Sequence, residues 1–124
     1  MIKTMSNAEI YDLNTLINSV FDIKDKKYLP ARVNFFIQKN RNLLVKLSND
    51  IERVRFSIIE NYGTVEGDKY HFTEENILLA NKELSDLLKI KQEVDISMIK
   101  LSDLDNIEFT QEQMSALMFM IQED

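Results

Sequence analysis

One histidine and no cysteine limit the chemistry that these 124 residues can perform. Without thiolates there is no disulfide, no thiol nucleophile and no Cys-type metal site. Without a second imidazole there is no His-based metal cluster. His71 would need a presented serine to act as a general base. Its neighbours, Lys69-Tyr70-His71-Phe72, read instead as a strand with no nucleophile-elbow pattern, so His71 is read as structural. The two glycines, Gly63 and Gly67, form no phosphate-cradling loop. Residues 103–108, Asp-Leu-Asp-Asn-Ile-Glu, carry hard oxygen ligands but lack the central glycine and distal glutamate of a calcium loop. No catalytic residue, metal ligand or cofactor site is expected.

Binding chemistry is better represented. Arg32, Lys39, Arg41, Arg53 and Arg55 lie on one predicted helix and could contact phosphates. Tyr28, Tyr62, Tyr70 or Phe72 could stack a base. The same cations also read as solvated helix flanks. Met114, Met118 and Met120 with Phe119 offer either an adaptable binding face or the core side of a last helix. The net charge of −6 argues against general nucleic-acid binding. Charge is unevenly spread. Residues 22–62 carry nine Lys/Arg against five Asp/Glu, a net of +4, and residues 74–124 carry four against twelve, a net of −8. Such halves suit packing against each other, within a chain or between copies, or are simply solvated faces.

The elements that must position these residues are mostly helical. Ser6-Asn7-Ala8-Glu9 is a capping box, and Ile10, Leu13, Leu16, Ile17, Val20 and Phe21 follow at helical spacing, predicting a helix over 7–21. The N-terminal residues show no leader-like apolar stretch, turn polar at once and read as the start of a helix. Residues 22–27 read as a connector. Pro30 suits a first helical position, and no further Pro or Gly occurs before Gly63. A helix over 30–61 follows, about 48 Å long at 1.5 Å per residue.

Its apolar seam has coiled-coil character, with Ile37, Leu44 and Ile51 at a and Asn40, Leu47 and Val54 at d. The shorter helices look unable to cover it. Ile37, Asn40, Leu44, Leu47, Ile51 and Val54 are therefore expected at the interface of a homodimer or higher oligomer. The rival is a bundle within one chain, with the next helix folded back along the seam. Asn40 would set register there, or sit where the seam is wet.

Gly63 is expected in the left-handed position that closes the helix. Residues 63–72 read as a hairpin turning at Glu66-Gly67-Asp68, and residues 73–90 as a helix capped by Thr73. The alternation Val94, Ile96, Met98 predicts a strand over 94–101, joining the hairpin in a three-stranded sheet. Thr110-Gln111-Glu112-Gln113 is a second capping box, opening a helix over 110–121. The expectation is one α+β domain over 1–124, mainly α: a long central helix with two to three shorter helices and a small antiparallel sheet. No apolar run reaches the ~18 residues of a membrane span.

The stretch "YLPARVNFFIQKN" at 28–40 resembles a family of short, uncharacterised proteins of bacteriophages of Gram-positive bacteria. "ENYGTVEGDKYHF", "ANKELSDLL", "VDISMIKLSDL" and "FTQEQMSALMFMI" fit the same resemblance in order. It covers most of the chain from Tyr28 onward and brings no catalytic residues. It implies a phage protein acting in the host bacterial cytoplasm or in a virion, by binding a macromolecule. The resulting expectation is a non-enzymatic accessory protein that binds a host or phage protein, such as a host antiviral factor that it inhibits. The alternatives are a virion or tail-assembly component, and a sponge that captures a nucleotide signal.

Overall fold

A computed structural model of the chain describes residues 1–21 and 29–124. The connector expected at 22–27 and the stacking candidate Tyr28 lie outside the described residues. The fold is α+β and mainly α. In order it runs β1 (Ile2–Ser6), α1 (Asn7–Val20), α2 (Ala31–Tyr62), β2 (Thr64–Glu66), β3 (Lys69–His71), α3 (Glu74–Lys89), β4 (Lys91–Asp95), β5 (Ile99–Lys100), α4 (Gln111–Leu117) and β6 (Ile121–Gln122). Short 3₁₀ turns occupy Leu101–Leu104 and Met118–Met120.

Local signals act where the sequence places them. Ser6 Oγ accepts from the Glu9 backbone N–H at 3.1 Å, and Glu9 Oε1 accepts from the Ser6 N–H at 3.3 Å. Thr110 and Gln113 form the same reciprocal pair at 3.1 Å each way. These caps satisfy backbone donors that the first turn leaves without helical partners. Thr73 Oγ1 likewise accepts from the Asn76 N–H at 3.1 Å.

The long helix is present, and most of its seam is covered within the chain. Ile37, Asn40, Leu44 and Ile51 are buried within the one chain, Leu47 is half-buried, and Val54 is exposed. Three segments cover the stripe. Helix α1 runs antiparallel to α2: Arg41 Nη2 donates to Asn18 Oδ1 at 2.9 Å near one end of α1, and Tyr11 faces Glu52 near the other. Helix α3 folds back along the C-terminal half, where Asn76 Nδ2 donates to the Tyr62 carbonyl at 3.1 Å. The turn between β4 and β5, together with Met120, closes over Asn40. The expected shortage of cover counted only helices. The strands and 3₁₀ turns of the C-terminal third supply the remainder.

Asn40 sits neither in a wet seam nor at a register point between copies. It is 1% exposed. Its Nδ2 donates to the Ser97 carbonyl and its Oδ1 accepts from the Ser97 N–H, both at 2.9 Å. One amide thus takes up both polar groups of a buried backbone position, as a neighbouring strand would.

The sheet differs from expectation. Instead of three strands in one sheet, the described residues form three separate two-stranded pairs. β1 stands where the sequence predicts the start of a helix, and it pairs antiparallel with β4 from Ile2↔Asp95 to Ser6↔Lys91. β2 and β3 form the expected hairpin, with Gly67 at φ 64° in the turn. β5 pairs in parallel with β6 at Ile99↔Ile121. The strand expected over 94–101 breaks at Ser97, where the Asn40 clamp replaces a strand partner. The buried residues are then Val94, Ile96 and Ile99 rather than an unbroken alternation. The last helix is shorter than 110–121, because residues 118–120 tighten into the 3₁₀ turn that delivers β6.

Gly63 has φ −96°, so it is not left-handed. A Cβ there would stand 2.9 Å from the Ile59 carbonyl oxygen and 3.1 Å from the Phe72 ring. Close approach, rather than backbone handedness, selects glycine at this position.

Candidate functional site

The residues singled out for chemistry do not converge. His71 lies on the exposed hairpin, with Nε2 3.5 Å from Glu66 Oε2. In the acidic loop, Asp103 Oδ2 accepts from the Lys100 backbone N–H at 3.0 Å and lies 3.7 Å from Arg32 Nε. It acts as a local cap. Among the described residues, no group of three or more His, Cys, Asp or Glu could hold a metal ion.

The five cations point to different sides of α2. Arg41 is held by Asn18, Arg53 by Asp50 at 3.1 Å and Arg55 by Glu52 at 3.3 Å. Arg32 lies over the Phe36 ring at 4.9 Å, and Lys39 is exposed. Arg32 and Arg53 are 21 positions apart, about 31 Å along the helix axis. No phosphate-sized cradle forms from them. The aromatic candidates are similarly scattered. Tyr62 bonds Glu83, Phe72 packs on Gly63, and Tyr70 meets Phe56 edge-on at 6.4 Å. The methionines divide: Met120 is in the core, Met114 is half-buried, and Met118 is exposed.

What the structure does bring together is a surface on α3, which the sequence reading did not single out. Of this 16-residue helix only Ala80 and Leu87 are fully buried. Ile77, Leu78, Leu79 and Leu88 are exposed, Leu78 at 70%, and Ile90 beyond the helix end is exposed as well. At 100° per residue, Ile77, Leu78, Asn81, Ser85 and Leu88 share an arc of about 100°, and the charged residues of that stretch, Lys82, Glu83 and Asp86, fall outside it. The signal was present in the sequence. Three consecutive apolar residues, Ile77-Leu78-Leu79, sweep some 200° of a helix and cannot all face one core.

That face adjoins a cleft where α1, α2 and α3 meet. Asn7 ties the start of α1 to the end of α3 and to β4. Its backbone N–H donates to the Ile90 carbonyl at 2.8 Å, its Nδ2 donates to the Leu87 carbonyl at 2.9 Å, and its Oδ1 accepts from Gln92 Nε2 at 2.6 Å. The cleft encloses about 410 Å³ and is lined by Tyr11 and Asp12 of α1, Ile51, Glu52 and Arg55 of α2, and Leu88 of α3. Leu88 therefore belongs to both the apolar face and the cleft.

The Tyr11 phenol is raised above 10.0, first by hydrogen bonding to the Glu52 carboxylate and then by its charge. Tyr62 is raised likewise, by its hydrogen bond to Glu83 and by desolvation. A raised folded-state pKa stabilises the fold below the unfolded value. That contribution is lost as pH rises through the folded value. In a spectrophotometric alkaline titration, Tyr11→Phe and Tyr62→Phe should each remove one phenol that ionises later than an ordinary tyrosine. Loss of an early-titrating phenol instead would place the carboxylates elsewhere.

No family model, curated protein or solved structure matches this chain. No helix among the described residues is long and apolar enough to cross a membrane.

Proposed function

We propose that the protein works by binding another protein, as a non-enzymatic accessory protein of a bacteriophage acting in the host cytoplasm. The docking surface is the outer face of α3 with the adjoining cleft. One observation carries this reading: α3 buries two of its apolar residues and presents four others, with an uncharged arc between residues 77 and 88. Soluble chains seldom leave a contiguous apolar helix face uncovered, and such faces serve as docking sites for apolar partner surfaces. The phage setting rests on the family resemblance of residues 28–40 and the segments that follow. Inhibition of a host antiviral factor is the form of binding that suits a small chain whose candidate groups build no reaction centre.

The scattered cations favour a protein partner over a nucleotide, because a phosphate ligand draws on charges that converge. Burial of Ile37, Leu44 and Ile51 in the core likewise removes the seam as a reason for self-association. The test uses tagged protein recovered from phage-infected cells, as wild type and as the double variant Ile77→Glu/Leu78→Glu. A stoichiometric protein held by the wild type and lost from the variant, with the helical circular dichroism unchanged, is the expected result. Equal retention by both would overturn the assignment of the surface.

A further inference from the structure

The exposed row of α3 matches its own reverse. Leu78, Asn81, Ser85 and Leu88 recur at steps of three, four and three, the spacing of a seam between two helices. Leu78 is 70% exposed, and Asn81, Ser85 and Leu88 are exposed as well. Along one flank of this row run Glu75, Lys82 and Lys89, seven positions apart, and along the other run Ile77 and Leu84. The side chains of Glu75, Asn81, Ser85 and Lys89 make no hydrogen bond or ion pair among the described residues. They are available to an outside surface.

We propose that a second copy of this chain covers the row, α3 lying antiparallel on α3 about a two-fold axis, until the protein partner displaces it. The proposal rests on the reading of α3 as a docking face and adds how that face is masked. When Leu78 is level with Leu88 of the second copy, Asn81 falls level with Ser85 of that copy, and the two-fold axis repeats both layers. Each leucine is then covered by a leucine. Each asparagine amide meets a hydroxyl that can donate to it or accept from it. On the charged flank Glu75 comes beside Lys89 of the second copy, twice in the pair. On the apolar flank the half-buried Leu84 meets its counterpart across the axis. Lys82 faces its counterpart, the one opposition of like charges, on the open rim where salt screens it.

The outer side of α2 fails the same comparison. Arg32, Lys39, Lys46 and Arg53 recur there every seven residues. In an antiparallel pair of α2 helices Lys39 would face Arg53 and Lys46 would face Lys46, so that side repels a second copy. The α3 contact is small. A face of about three helical turns buries less than the roughly 1,200 Å² at which standard-sized complexes begin, so the pair is weak and exchanges with the monomer. Weakness suits a mask. The residues that hold the second copy are those that hold the partner, so the two exclude each other. The apparent affinity for the partner then falls as the protein becomes more concentrated.

The test is sedimentation equilibrium of the full chain from micromolar to millimolar concentration, with circular dichroism as the check on folding. The weight-average mass should climb from one chain toward two. Glu75→Lys and Lys89→Glu each turn both flank contacts from attraction to repulsion, and each should weaken the dimer about tenfold. The double variant Glu75→Lys/Lys89→Glu restores opposite charges and should return the dimer to near its original strength. Each single change also opposes the helix dipole. That cost would add in the double variant, so recovery reports the contact between copies.

A single-chain mass at every concentration would overturn the proposal. So would single variants that associate as the wild type does, or a double variant weaker than either single one. The two readings fail separately. If the wild type stays monomeric while Ile77→Glu/Leu78→Glu releases the partner, the docking face stands and self-pairing falls. If the charge exchange restores a dimer but Ile77→Glu/Leu78→Glu still holds the partner, the docking face falls alone.

Discussion

Asn40→Ala should lower the stability of the protein by about 3–5 kcal/mol, shifting thermal unfolding down by more than 10 °C. The amide is 1% exposed and bonds both the N–H and the carbonyl of Ser97 at 2.9 Å. Truncation leaves two buried backbone groups unpaired, each costing about 1–3 kcal/mol. It also opens a cavity beside Met120, whose sulfur lies 3.4 Å from Asn40 Nδ2. Asn40→Asp is an informative companion. It keeps an acceptor for the Ser97 N–H but turns an anion toward the Ser97 carbonyl, so it should be no milder than alanine at neutral pH. Urea denaturation followed by circular dichroism measures both. A loss below 1 kcal/mol for alanine would mean that the β4–β5 turn does not depend on this clamp.

Leu44→Glu should leave the chain without stable tertiary structure at 25 °C. Leu44 is fully buried on the face of α2 that α1 and the C-terminal segments cover. An unpaired carboxylate there costs several kcal/mol, against a total stability of roughly 5–15 kcal/mol for a domain of this kind. The contrast is with Leu78→Glu on α3, which adds a charge to an exposed position and should change stability by no more than about 0.5 kcal/mol. The pair separates core from surface. Had the seam of α2 been an interface between copies, Leu44→Glu would give a folded monomer with full helical signal. Sedimentation together with circular dichroism distinguishes a folded monomer from an unfolded chain.

The parts of the fold legible in the sequence are those fixed by neighbours within a few residues. Both capping boxes, the Thr73 cap, the hairpin turn at Gly67 and the uninterrupted helix from 31 to 62 depend on local chemistry alone. The parts that were not legible depend on partners far along the chain. β1 finds β4 some 90 positions away, and nothing local to "IKTMS" marks it as a strand rather than the start of a helix. Asn40 was legible as an anomaly in an apolar stripe, yet its partner lies 57 positions away. A buried amide on a heptad seam looks the same whether it meets a second copy or its own backbone.

The candidate site was less legible still. Arg55 reads in the sequence as a solvated helix flank, and in the structure it pairs with Glu52 at 3.3 Å. The cleft beside them forms only where α1, α2 and α3 meet, and its lining comes from residues up to 80 positions apart. The cover over α2 was hidden for a related reason. Helix lengths alone leave the seam short of partners, whereas the cover at Asn40 comes from irregular chain.

The central claim, that α3 is a protein-docking face, is tested most directly by a photo-crosslinking residue placed at Leu78, with the same residue at Lys39 as the control position. Both sites are exposed, so neither substitution should disturb the core. Irradiation of phage-infected cells should give one protein adduct of defined mass from position 78 and none from position 39. The same adduct from both positions, or no adduct from either with the protein folded and abundant, would contradict the claim.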